Sequence, residues 1–135
     1  MHTQKNHEIE FVKNFIVKEK QDRFLTLINN KKKRNKLRLL IAHRMDFIKT
    51  NIYLIDKNNI CKNDIYLILK KYGAPENCYI ICESSIHDRK EMKIKEALDI
   101  LFNSGLGFIL SCIPGEVAYY QGENFSNIIL LNNSQ

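Results

Sequence analysis

The sequence predicts an α+β protein in which N-terminal helices pack on a small four-stranded mixed sheet, in the order α-α-α-β-α-β-β-β. Three observations carry that prediction. Apolar residues recur at helical spacing through the first half of the chain. In the second half they gather into short runs bounded by turn residues. Charge divides at the same place: residues 1–71 hold 17 Lys/Arg and 7 Asp/Glu, whereas residues 72–135 hold 4 and 8.

Residues 8–29 read as one helix, because Phe11, Val12, Phe15 and Ile16 share a face that Phe24, Leu25 and Ile28 continue. Asn29-Asn30 breaks it. Residues 31–45 read as a second helix, with Leu37, Leu40, Ile41 and Met45 as its apolar stripe and Lys33, Lys36 and Arg38 off that stripe. Residues 46–61 read as an irregular connector. A third helix is expected over 64–72, with Asn63 as its N-cap, Gly73 just beyond its C-terminus and Pro75 stopping it.

The second half begins with an apolar run, Cys78 to Cys82, expected as a buried strand. A polar loop, Glu83 to Lys90, follows. Residues 92–103 form an amphipathic helix on Ile94, Ala97, Leu98, Leu101 and Phe102. Phe108–Cys112, Val117–Tyr120 and Ile128–Leu131 complete the strands. The first two strands flank a helix and are expected to be parallel through a right-handed crossover; the last three are expected as an antiparallel meander.

The length of 135 residues points to a single domain, 1–135, with a basic helical half (8–72) and a β-α-β-β-β half (76–132). The N-terminus lacks the apolar core of a signal peptide, and no stretch approaches the ~20 apolar residues of a spanning helix. A cytoplasmic location is therefore expected, with Cys61, Cys78, Cys82 and Cys112 as reduced thiols. Lys outnumbers Arg 16 to 5, and Asn and Ile are abundant. That bias fits an AT-rich bacterial or phage genome, and drift of this kind would supply lysines without function.

Two regions are candidate sites. The first is the basic run Lys31, Lys32, Lys33, Arg34, Lys36 and Arg38, with Arg44 further along. Its charges would face a phosphate backbone or an acidic protein surface. Cations at the N-terminal end of a helix oppose the helix dipole, a small cost that favours a functional reason for them. The second is the loop edge of a parallel β-α-β unit, where ligands collect. It would bring Glu83, Ser84, Ser85, His87 and Asp88 towards Ser111 and Cys112. A hydrolase of a phosphorylated or nucleotide substrate would use Glu83, His87, Asp88 and Cys112 catalytically, with Ser84, Ser85 and Ser111 binding the ligand. The plainer reading makes Ser84, Ser85 and Asp88 caps of local backbone and Cys112 a buried thiol.

Zinc is disfavoured by spacing. Cys78 and Cys82 on one strand stand ~13 Å apart at ~3.3 Å per residue, against Zn–S bonds of ~2.3 Å. No metal or cofactor is expected. The Gly105-Leu-Gly107 turn follows a helix, whereas a phosphate loop precedes one. The balance favours a non-enzymatic binding or regulatory module that holds nucleic acid or an acidic protein. A small hydrolase is the alternative, and a third reading is a non-catalytic subunit of an immunity or toxin–antitoxin type complex. The terminal strand, read as a sheet edge, would also permit a homodimer, as would the helices.

Overall fold

A computed structural model describes residues 3–43, 45–55, 60–122 and 127–132. Its centre is a six-stranded sheet, β1 (Ile52–Leu54), β2 (Asn77–Cys82), β3 (Glu91–Lys93), β4 (Phe108–Ile113), β5 (Val117–Gln121) and β6 (Asn127–Leu131). The spatial order is β1-β6-β5-β4-β2-β3, and every pairing is antiparallel. The α+β class holds, with more strands than the four expected and, among the described residues, no parallel pair.

The strands of the second half are apolar almost continuously, so both sheet faces must be covered. Helices α1 (Thr3–Phe15), α2 (Lys18–Asn29) and α3 (Arg34–His43) cover one face. There Phe11, Phe15, Phe24, Leu37 and Ile41 pack on Tyr79, Ile81, Ile109, Tyr120 and Leu130. Helices α4 (Lys62–Lys71) and α5 (Ile94–Leu101) cover the other. There Ile65, Leu69, Leu98 and Leu101 pack on Ile80, Leu110, Cys112, Tyr119 and Ile129. The expected helical layer is one of two.

The expected single helix over 8–29 is divided at Ile16-Val17. The connector supplies the cause: Ile16 bridges Phe47, and Val17 N–H donates to the Asp46 carbonyl at 3.0 Å. Gln21 folds back to donate to the Ile16 carbonyl at 2.9 Å. The second expected helix opens as a 3₁₀ turn, Lys31–Lys33, before α3. Asn30 accepts from the Lys32 N–H at 3.0 Å and sets that turn. Helix α4 begins earlier than expected. Cys61 rather than Asn63 is its N-cap, and Asp64 accepts from the Cys61 N–H at 2.9 Å. Its end is as anticipated: Gly73 adopts φ +94°, and Ala74 N–H reaches the Leu69 carbonyl at 3.1 Å.

The largest correction concerns β2 and β4, which are antiparallel. Glu91–Lys93, expected to lie in the loop and the start of the following helix, forms β3, a hairpin partner of β2 with Asn77 opposite Lys93. The chain has therefore already returned to the Asn77 end when α5 begins, and Ile94 N–H donates to the Glu76 carbonyl at 2.7 Å. Helix α5 then climbs the sheet and β4 descends it, with Cys82 opposite Phe108 and Tyr79 opposite Ser111. The meander β4-β5-β6 is as expected. The terminal strand β6 is not an edge, since it lies between β1 and β5.

Candidate functional site

Reversal of β4 separates the loop-edge candidates. Glu83, Ser84, Ser85, His87 and Asp88 lie at the Cys82 end of β2, and Ser111 and Cys112 lie at the Asn77 end of the same pairing. Cys112 is also on the α4/α5 face, buried, with its thiol pKa pushed well up by burial. His87 sits half-exposed on the turn after β2. A Cys112–His87 pair is therefore not assembled. Glu83 accepts from the Gly107 N–H at 2.8 Å, and the Ser84 hydroxyl accepts from the Ile86 N–H at 3.3 Å. The first ties the turn to the chain entering β4, and the second satisfies the turn's own backbone. Ser85 is exposed on the same turn.

Ser111 finds a different partner. It is 1% exposed, and its hydroxyl shares a 2.7 Å hydrogen bond with His7 Nδ1. The His7 ring stacks on Tyr79 at 5.2 Å between centroids. Burial lowers the His7 pKa, opposed by the charges of Glu91 and Glu8, so the ring is held towards its neutral form. A serine this enclosed is closed to a substrate, and the contact satisfies a buried hydroxyl.

The basic run splits into two populations. Arg34 turns inward and is 6% exposed. Its Nη1 and Nη2 donate to the two carboxylate oxygens of Glu8 at 3.0 and 2.8 Å. Its Nε and Nη2 donate to the two oxygens of Asp88 at 2.8 and 3.0 Å. Asp88 also accepts from the Cys82 N–H at 3.0 Å, and Glu8 accepts from the Tyr79 hydroxyl. Arg89, at φ +68°, brings its Nε to 3.7 Å from Glu8 and donates to the Ile28 carbonyl at 3.5 Å. Burial alone would lower the Arg34 pKa; the hydrogen bonds and charges of Asp88 and Glu8 outweigh it and raise the value. One guanidinium thus locks α1, α3 and the β2–β3 turn together by two bidentate pairs. Arg34 presents no charge to a partner, and Asp88 is structural.

Lys31, Lys32, Lys33 and Lys36 turn outward and are exposed, and among the described residues none pairs with a carboxylate. Arg38 is half-exposed and donates to the Asn35 side chain. Arg44 lies outside the described residues. Anchoring of Arg34 fixes how the lysines project, because it sits between Lys33 and Lys36 at the first turn of α3. Lys18 and Arg23 of α2 are also exposed, as are Glu19 and Asp22.

Sequence reading missed the roles of Glu8, Tyr79 and His7 and misplaced Arg34. A signal was present. Glu8 shares the stripe of Phe11, Val12 and Phe15, and Arg34 shares that of Leu37 and Ile41. Opposite charges on two apolar stripes mark a buried pair.

Beneath the first helical layer the described residues leave little space beside these groups. The crevice lined by Glu8, Phe11, Phe24, Leu37 and Ile109 has about 10 Å³, the limit for one water. Among the described residues no group of three His, Cys, Asp or Glu is placed to hold a metal, and no helix is long and apolar enough to cross a membrane. The fold and site define an antiparallel α+β protein with a basic helical ridge. No family model, curated protein or solved structure matches the chain.

Proposed function

We propose that the protein is a non-enzymatic binding or regulatory module. Its ridge of Lys31, Lys32, Lys33 and Lys36, extended by Arg38, holds an anionic partner, a nucleic acid or an acidic protein. The supporting observation is the outward set of four lysines, without carboxylate partners among the described residues, on a turn and first helical turn fixed from beneath by a buried arginine. Such a surface attracts a partner at long range and loses it as salt rises. A non-catalytic subunit of a larger complex would use the same ridge.

The test is capture from a host extract by the wild type and by a K32E/K33E/K36E variant, with a salt series and with or without nuclease. The wild type retains a partner that salt releases, and the variant does not. Nuclease sensitivity separates nucleic acid from protein. Equal retention by wild type and variant would sink the proposal.

A further inference from the structure

The ridge is not purely ionic. Leu39 stands 57% exposed one turn beyond Lys36, so the two share a face of α3. The next residue, Leu40, turns towards α2 and with Phe24 contributes apolar surface to a groove between the two helices. Lys20, Arg23, Glu19 and Asp46 also line the groove, which has about 250 Å³ of open volume, and Lys20 is ion-paired to Asp46. Cations, an exposed leucine and a groove in which Phe24 and Leu40 lie among four charged side chains are therefore all on the α2/α3 layer.

A phosphate backbone uses only the first of these. Phosphate contacts are made by cations and hydrogen-bond donors, and an exposed leucine adds nothing to them. The carboxylates of Glu19 and Asp22 on α2 would repel a uniformly charged polyanion laid across the layer, whereas a protein segment can carry its carboxylates only where the lysines stand. An amphipathic protein segment with acidic residues uses all three, by the usual pairing of an apolar anchor with a charged rim.

We propose that the ridge docks an acidic amphipathic segment of a partner protein, whose carboxylates meet Lys32, Lys33 and Lys36 while its apolar side chains cover Leu39 and enter the groove beside Phe24 and Leu40. The inference rests on the ridge being the binding surface. It assigns the partner to protein rather than nucleic acid.

The experiment selects a displayed library of random peptides, two to four helical turns long, against the full chain. A labelled DNA duplex and a labelled single-stranded RNA are titrated in parallel. Selected peptides carry clustered Asp/Glu with Leu or Phe at helical spacing. Their affinity falls about tenfold in L39S, the loss expected when one leucine is no longer buried, and falls further in K32E/K33E/K36E. Nucleic-acid affinity does not respond to L39S. Circular dichroism confirms that L39S, a change at an exposed position, leaves the fold intact. The inference fails if no peptide is selected, if selected peptides ignore L39S, or if a nucleic acid binds more tightly than every peptide. In that last case lysine dependence would leave the ridge standing as a nucleic-acid surface. If the lysine reversal changes neither peptide nor nucleic-acid binding, the ridge itself is not the site.

Discussion

The two helical layers treat their lysines differently. On the α4/α5 face Lys62 meets Asp99 at 2.8 Å, Lys70 meets Glu76 at 2.9 Å, and Lys95 lies over the Tyr66 ring at 4.8 Å from its centroid. Among the described residues the core beneath them holds apolar side chains, thiols and the amide of Gln121, and no carboxylate or arginine. On the α1–α3 face Lys31, Lys32, Lys33 and Lys36 point outward without carboxylate partners among the described residues, over a buried cluster of Glu8, Arg34 and Asp88. Compositional bias would scatter lysines over both layers and does not account for this difference. The α4/α5 layer pairs Lys62 and Lys70 at its surface; the α1–α3 layer pairs Lys20 with Asp46 but around α3 commits Glu8 and Asp88 to a buried arginine, beside four lysines that have no carboxylate partner among the described residues.

The sharpest way to break the contrast is to remove its anchor. Arg34→Ala leaves two carboxylates buried without their cation and should cost about 3–5 kcal/mol, read from urea unfolding. Lys62→Ala on the other layer should fall within about 0.5 kcal/mol of wild type. If both cost alike, the layers do not differ as described. The next effect tests how α3 is seated. A Cβ on Gly107 would come to 2.6 Å from Ala42 Cα and 2.8 Å from the Ile41 carbonyl, both backbone atoms. Gly107→Ala should therefore cost about 1–3 kcal/mol. An unchanged midpoint would place α3 further from β4.

Lys36→Glu sharpens the comparison in the opposite direction. An anion in the first turn of α3 suits the helix dipole, so the variant should gain about 0.3–1 kcal/mol while partner affinity drops. A loss of stability would mean that Lys36 has a structural partner. The smallest effect concerns His7. Its folded pKa lies below the ordinary 6.5 because of burial. The unfolded chain therefore binds more protons, and stability falls as pH drops through about 6.5 towards the folded value. Comparing urea midpoints at about pH 7.5 and about pH 5.5, His7→Gln should show a smaller loss than wild type. An equal loss in both would assign the acid sensitivity elsewhere.

Much of this was legible in the chain. The runs 78–82, 108–112, 117–120 and 128–131 became strands within a residue or two, because short apolar runs between turn residues have few other uses. The outward direction of Lys36 followed from the stripe of Leu37 and Ile41. Glu91-Met-Lys93 was not legible. Three residues with two charges carry no strand signal, and they pair only because the adjacent β2 edge offers backbone groups to them. That hairpin reverses β4, and the reversal dissolves the loop-edge site. Strand β1 was equally hidden, since Ile52–Leu54 gains its partner only from β6.

By itself the sequence determined where most of the helical residues and the four apolar strands lie and which half carries the positive charge, because periodicity, caps and composition are local properties. Tertiary structure decided the direction of β4 and the fate of each charge in the basic run. Those depend on partners far along the chain. Arg34 is an inward residue only because Glu8 and Asp88, 26 and 54 positions away, meet it beneath α3, and its lysine neighbours are left facing outward by the same packing.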